Sequence, residues 1–102
     1  MSLPEVIERV PWGRPTFRVR NKVFATLARD GSSATLKSSP EEQQAVVGAN
    51  PETFTVAAYV GRHGWINALL ERVDKNLMEE LVIDAWRRAA PKRLLIERHA
   101  HR

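Results

Sequence analysis

Residues 17–31 read FRVRNKVFATLARDG, and this segment decides the fold because it has the pattern of a β-hairpin. Phe17 and Val19 alternate with Arg18 and Arg20, so the apolar and basic side chains are expected on opposite faces of a strand. Two interpretations of the basic face stay open at this point. It is either the solvated face of an ordinary antiparallel sheet or a basic two-stranded ribbon that enters the major groove of nucleic acid.

Two turn signals divide this region into three strands. Asn21 tolerates a left-handed backbone and marks a tight turn. Gly31, in the sequence DGSS, adopts a positive φ at little cost. The expected strands are therefore residues 15–20, 22–29 and 34–38, joined as an antiparallel meander.

A helix start follows the third strand in the sequence SSPEEQQAVVGANP. Ser39 is the expected N-cap, Pro40 suits the first helical position, and Glu42 completes a capping box. Pro51 closes the segment, so this helix ends near Gly48 or Asn50.

The second half of the chain predicts two more strands and a longer helix. The strands cover residues 53–60 and 65–73, with the turn GRHG between them. Asp74 and Asn76 both offer a helix start, and Asn76 with Glu79 forms a second capping-box pattern for a helix over residues 77–90. One face of that helix is apolar at helical spacing and is expected to cover the sheet; it consists of Met78, Leu81, Val82, Ala85, Trp86 and Ala89.

The two ends of the chain are expected to contribute little structure. Residues 3–10 suggest a short helical turn, which Pro11 ends because proline cannot continue a helix. Residues 97–102 are expected to fray. The elements together predict one α+β domain over residues 1–102, with an antiparallel sheet of about five strands and two or three helices.

Composition excludes several classes of function. The 102 residues include no cysteine, which excludes disulfides, zinc–thiolate sites, iron–sulfur clusters and cysteine nucleophiles. No apolar run is long enough to cross a bilayer, and the N-terminus lacks the pattern of a signal peptide, so we expect a soluble cytoplasmic protein with no membrane contact. The net charge of +4 favours phosphate contacts only weakly, because a modest positive charge also serves solubility.

No catalytic or metal-binding motif of real specificity is present. His63 lies in a turn without a second ligand at suitable spacing, and a metal site needs three or four convergent ligands. The glycines of GRHG are too close together for a phosphate-binding loop. The sequence therefore predicts no cofactor, no metal and no nucleophile–base pair, and it leans away from an enzyme.

The candidate contact residues are basic and aromatic. Trp86 belongs to the apolar helix face and Trp65 opens a strand, so Trp12 is the tryptophan kept for a partner or ligand contact, together with His63. Nucleic-acid contact is assigned to basic sheet and turn residues, namely Arg18, Arg20, Lys22, Lys37 and Arg62.

Several segments jointly resemble the YjbR/MmcQ family of small bacterial proteins. They are LPEV (3–6), WGRPTFRVRNKVFATL (12–27), LKSSPEEQQAV (36–46), FTVAAYVGRHGWINALLERVD (54–74) and LVIDAWRRAAPKRL (81–94). The resemblance implies a frataxin-like fold with the helices on one face of the sheet, and DNA binding has been proposed for the family. The resemblance implies no enzymatic reaction. Frataxin-type iron binding does not carry over, because the matching region has only Glu5 and Glu8 among several arginines.

Members of this family usually carry a longer helix before LPEV, which here begins at residue 3. A shortened helix would leave a strip of the sheet uncovered, so we expect a homodimer. The leading hypothesis is a non-enzymatic module that binds DNA through the five basic residues. The alternative is an adaptor for a protein or small ligand, which would use Trp12 and residues 61–64.

Overall fold

The computed structural model describes Leu3 and residues 5–10, 13–57 and 63–91. These residues form six strands and two helices in the order β1 to β4, α1, β5, β6 and α2. The elements are β1 (Val6–Arg9), β2 (Thr16–Val19), β3 (Lys22–Leu27), β4 (Ser33–Leu36), α1 (Pro40–Ala49), β5 (Phe54–Val56), β6 (Ile66–Leu69) and α2 (Lys75–Ala89).

The six strands make one antiparallel sheet in the order β1-β2-β3-β4-β6-β5. The predicted meander is β2, β3 and β4. Its first turn has positive φ at both Arg20 (50°) and Asn21 (67°), as a two-residue hairpin turn requires. Its second turn contains Gly31 at φ 74°, so both turn predictions are confirmed.

Asp30 holds the second turn closed. Its carboxylate accepts hydrogen bonds from the hydroxyl of Ser32 at 2.6 Å and from the backbone N–H of Ser32 at 2.9 Å. Both bonds stabilise the charged carboxylate and therefore lower the pKa of Asp30 below its ordinary value. The bond from the Ser32 hydroxyl has the larger effect.

The prediction for the N-terminus is wrong. Residues 5–10, which the structure describes, do not form a helical turn; β1 pairs with β2 instead, with Val6 opposite Val19 and Arg9 opposite Thr16. Val6 and Ile7 are β-branched and favour a strand once a partner strand is present. The sheet therefore has six strands where about five were expected.

Both helices pack against one face of the sheet, as the family resemblance implied. α2 lies on β3 and β4, and α1 lies against β5. Trp86 is completely buried between α2 and the sheet. The predicted apolar face of α2 is confirmed, because Leu81, Val82, Ala85 and Ala89 are buried with it.

The helix starts are set by side-chain caps. Ser39 caps α1 as predicted, and its hydroxyl accepts the backbone N–H of Glu42 at 3.1 Å. α2 does not start from the capping box predicted at Asn76, but at Asp74, the other start that the sequence offers. Asp74 caps this helix instead, and its carboxylate accepts the N–H of Leu77 at 3.0 Å. An aspartate two residues earlier fills the same role, because its oxygen also reaches a free N–H of the first turn.

Several predicted features lie outside the described residues. They are the end of the predicted fourth strand at residues 58–60, and the tail at residues 97–102. Within the described ranges, α1 and α2 are both too short and too polar to cross a membrane.

Candidate functional site

The second face of the sheet, opposite the helices, carries most of the polar strand residues. The register between the strands assigns its members, and alternation extends the assignment to Lys37 and Trp65, just beyond the ends of β4 and β6. Alternation breaks at a bulge where Phe17 and Arg18 stand opposite Ala25 and Val23, so that Phe24 joins the buried side. We call this second face the open face; the residues used below are Arg9, Thr16, Arg18, Thr26, Thr35, Lys37, Thr55, Trp65 and Asn67. None of the described strand residues on this face is acidic.

A polar row crosses the open face from one edge to the other. Each member stands opposite the next in the antiparallel register. In strand order, the row is Arg9, Thr16, Thr26, Thr35, Asn67 and Thr55. Such a row is a set of hydroxyl and amide groups at intervals of about 4.8 Å, the spacing of adjacent strands.

The hydrogen bonds inside this row are long. The Thr35 hydroxyl donates to Asn67 Oδ1 at 3.4 Å, and Asn67 Nδ2 donates to the Thr55 hydroxyl at 3.4 Å. Both distances lie beyond the usual range for strong bonds. The Asn67 amide is therefore weakly held, and it can give up these two hydrogen bonds to form hydrogen bonds with a ligand.

Lys37 and Trp65 form a second feature near Thr35 and Asn67, with Lys37 directly after β4 and Trp65 directly before β6. The Lys37 ammonium lies 5.4 Å from the centroid of the Trp65 ring, within cation–π range. The backbone carbonyl of Trp65 accepts a hydrogen bond of 2.7 Å from the Gln43 side chain of α1. The first turns of α1 thus fix the strand position that presents this tryptophan.

Arg18 lies on β2, in the half of the open face that β1, β2 and β3 form. It stands opposite Ile7 on β1 and Val23 on β3, and its Nε lies 3.4 Å from the Thr16 hydroxyl. Thr16 in turn donates to the carbonyl of Arg9 at 3.2 Å. In the described part of the chain, neither Arg18 nor Lys37 forms an ion pair.

The five predicted basic contacts do not all converge. Arg18 and Lys37 share the open face. Arg20 lies in the hairpin turn and forms a two-point ion pair with Glu5, at 2.6 and 2.8 Å. Lys22 stands opposite the buried Val19, which places it on the helix side at the end of the hairpin.

Three predicted residues remain, two basic or aromatic ones and a histidine. Arg62 and Trp12 lie outside the described residues, and His63 is exposed before β6. Among the residues that the structure describes, no three histidine or acidic side chains come close enough to hold a metal ion.

Sequence reasoning missed Arg9, Thr35, Thr55 and Asn67. The available signal was the alternation of polar and apolar residues in TFTV and INAL, but alternation alone does not give the register between strands. Arg9 was missed because residues 3–10 were interpreted as helical.

A groove lies on the helix side of the sheet, between β1 to β4 and α2. Its volume is about 510 Å³, and its described walls are mainly apolar, with Phe17, Met78 and Val82 among them; Glu8 is the one charged residue in that described lining. β1 is the edge strand beside this groove; Ile7, on the open face of β1, and Val10, directly after β1, are about half exposed. The homodimer stays a prediction, and this edge is where it would form.

Comparisons with known proteins give one family model and similar solved folds. The YjbR family model matches residues 1–88. A solved Deinococcus radiodurans protein, DR2400, with a DUF419 domain, is similar at a TM-score of 0.76 and 21% identity, over 83% of this chain and 68% of that one. A solved Pseudomonas syringae protein is similar at a TM-score of 0.71 and 17% identity, over 86% of this chain and 90% of that one. No curated protein matches significantly.

Proposed function

The chain belongs to the YjbR family, and on that basis we propose that it is a non-enzymatic binding module that contacts the phosphate backbone of DNA through its open face. The observation that carries the proposal is the charge pattern of that face. Arg9, Arg18 and Lys37 lie on it, and no described strand residue there is acidic. A polyanion is attracted to such a surface without repulsion from a carboxylate on the described strands of that face.

The geometry suits positioning contacts rather than sequence recognition. Arg18 on β2 and Lys37 beside β4 are two strand intervals apart, about 10 Å. Arginine and lysine at such positions bind phosphate oxygens, which fixes the register of the nucleic acid and carries no base information. The hydroxyl of Thr26, on the strand between β2 and β4, adds a neutral donor between the strands of the two cations.

We expect Arg18→Gln and Lys37→Gln each to weaken DNA binding about tenfold at low salt, with the same effect on every DNA sequence. Each change removes one cation that binds a phosphate, together with the counterion release that goes with it. The slope of log K against log salt should become shallower by about 0.9 in each variant, because one phosphate fewer is neutralised. Fluorescence anisotropy with a labelled oligonucleotide across a salt series measures both quantities.

Lys75→Gln is the matched control for this experiment. Lys75 is an exposed lysine at the first position of α2, on the helix side of the molecule, so its removal changes the net charge equally without touching the open face. Its salt slope should equal that of the wild-type protein. DNA binding that is missing at low salt, or that does not depend on salt, would refute the proposed function.

The apolar groove favours a second candidate function, an adaptor for a small ligand. Its volume and lining are in the range of small-molecule sites, and Glu8 is the charged group among the lining residues that the structure describes. The fitting ligand has an apolar body and a cationic group. We expect such amphiphiles to raise the melting temperature, and Glu8→Gln to reduce that shift. A screen of cationic and anionic amphiphiles that produces no shift would reject this candidate.

A further inference from the structure

We propose that the open face prefers single-stranded over duplex nucleic acid and that one unpaired base stacks on Trp65 beside the Asn67 amide. This inference rests on the proposed function and names the form of nucleic acid that the same site selects. It depends on three observations, which are the width of the sheet, the position of Trp65 and Lys37, and the long hydrogen bonds of Asn67.

The sheet is too wide to enter a groove of duplex DNA. Six strands span five intervals, or about 24 Å, whereas the major groove is about 12 Å wide. The ribbon interpretation of β2 and β3 fails for the same reason, because β1 and β4 flank this hairpin on both sides. A duplex therefore meets the open face with its phosphates only, while a single strand can lay its bases on it.

Trp65 and Lys37 place an aromatic ring and a cation close together on the open face, and these are the two groups that bind single-stranded nucleic acid. Proteins that bind single strands combine cations along the backbone with aromatic side chains under the bases. The Lys37 ammonium is held over the Trp65 ring at 5.4 Å by cation–π attraction. A base that stacks on this ring displaces the ammonium, which then reaches the phosphate next to that base.

Asn67 stands beside Trp65 on the same face, two residues along the chain. Its amide makes long contacts with Thr35 and Thr55, both 3.4 Å. An asparagine amide can pair with the edge of a base through one donor and one acceptor. Arg18, three strand intervals from β6, lies about 14 Å away and binds the backbone farther along the strand.

The test compares a labelled 12-nucleotide DNA single strand, its RNA equivalent and the matching DNA duplex at one low salt concentration. We expect the wild-type protein to bind both single strands about tenfold more tightly than the duplex. Trp65→Leu should lose about tenfold for single strands and less than twofold for the duplex, because stacking is available only to unpaired bases. Asn67→Ala is the second variant, which keeps the tryptophan and should lose affinity for the single strands only.

The outcomes separate this inference from the proposed function. Equal affinity for single strand and duplex, or an equal loss for both in Trp65→Leu and Asn67→Ala, would overturn the single-strand preference and leave the phosphate contact intact. An effect of Arg18→Gln on all three ligands supports the shared backbone contact. If the wild-type protein binds none of the three ligands at low salt, both proposals are refuted. If Trp65→Leu melts early, the result for Asn67→Ala decides.

Discussion

Trp86→Ala is expected to lower the free energy of unfolding by about 3–5 kcal/mol, a large part of the total for a domain of this size. Trp86 is the largest of the fully buried side chains, and it fills the space between α2 and the sheet in the same cluster as Phe24 and Leu36. The substitution removes the indole, and the surrounding backbone cannot move far enough to fill its space, so a cavity remains. Urea unfolding followed by circular dichroism measures the change in midpoint and slope.

Trp65→Ala is the matched control, because it removes the same side chain from the opposite face. Trp65 is only half-buried, and its hydrogen bond to Gln43 of α1 is made by the backbone carbonyl, which the substitution retains. Its replacement should cost less than half as much as that of Trp86. Near-equal losses in the two variants, or a larger loss for Trp65, would contradict the assignment of the core to the α2 side of the sheet.

The core could be predicted from sequence because its signals are local. The repeat of Leu81, Val82, Ala85 and Trp86 at helical spacing places these residues on one face of α2 whatever the helix packs against. Ser39 and Asn21 act in the same way, through a cap and a turn that involve only their neighbours along the chain. Such signals depend little on the rest of the fold.

β1 and the candidate site could not be predicted because they depend on distant pairing. Val6 and Ile7 become a strand only against β2, which lies more than ten residues later. Arg18 and Arg20 both alternate with apolar residues in the sequence, so the local pattern does not distinguish them. In the structure Arg20 forms an ion pair with Glu5, because β1 begins beside the hairpin turn. Asn67 and Thr35 meet across 32 positions of the chain, a register that no local pattern encodes.

Gly64→Ala is expected to lower the free energy of unfolding by about 2–5 kcal/mol, from backbone strain and steric overlap together. Gly64 has a φ of +92°, which disfavours any residue with a Cβ. A Cβ here would also lie 2.8 Å from Ser39 Cα and still closer to the Ser39 carbonyl carbon and Pro40 N. Because these are backbone atoms, α1 must move. Thermal and urea unfolding measure the loss.

Two other glycines separate the causes of this loss. Gly31 also has a positive φ, but a methyl group added there would meet no atom within 4 Å beyond its chain neighbours, so Gly31→Ala reports the backbone strain alone. Gly48 lies inside α1 with open space around it, so Gly48→Ala should stabilise by about 0.5–1 kcal/mol. A loss for Gly64→Ala no larger than that for Gly31→Ala would show that α1 does not approach this turn closely. The close approach is also what lets Gln43 hold the carbonyl of Trp65, so Gly64→Ala should weaken single-strand binding as well.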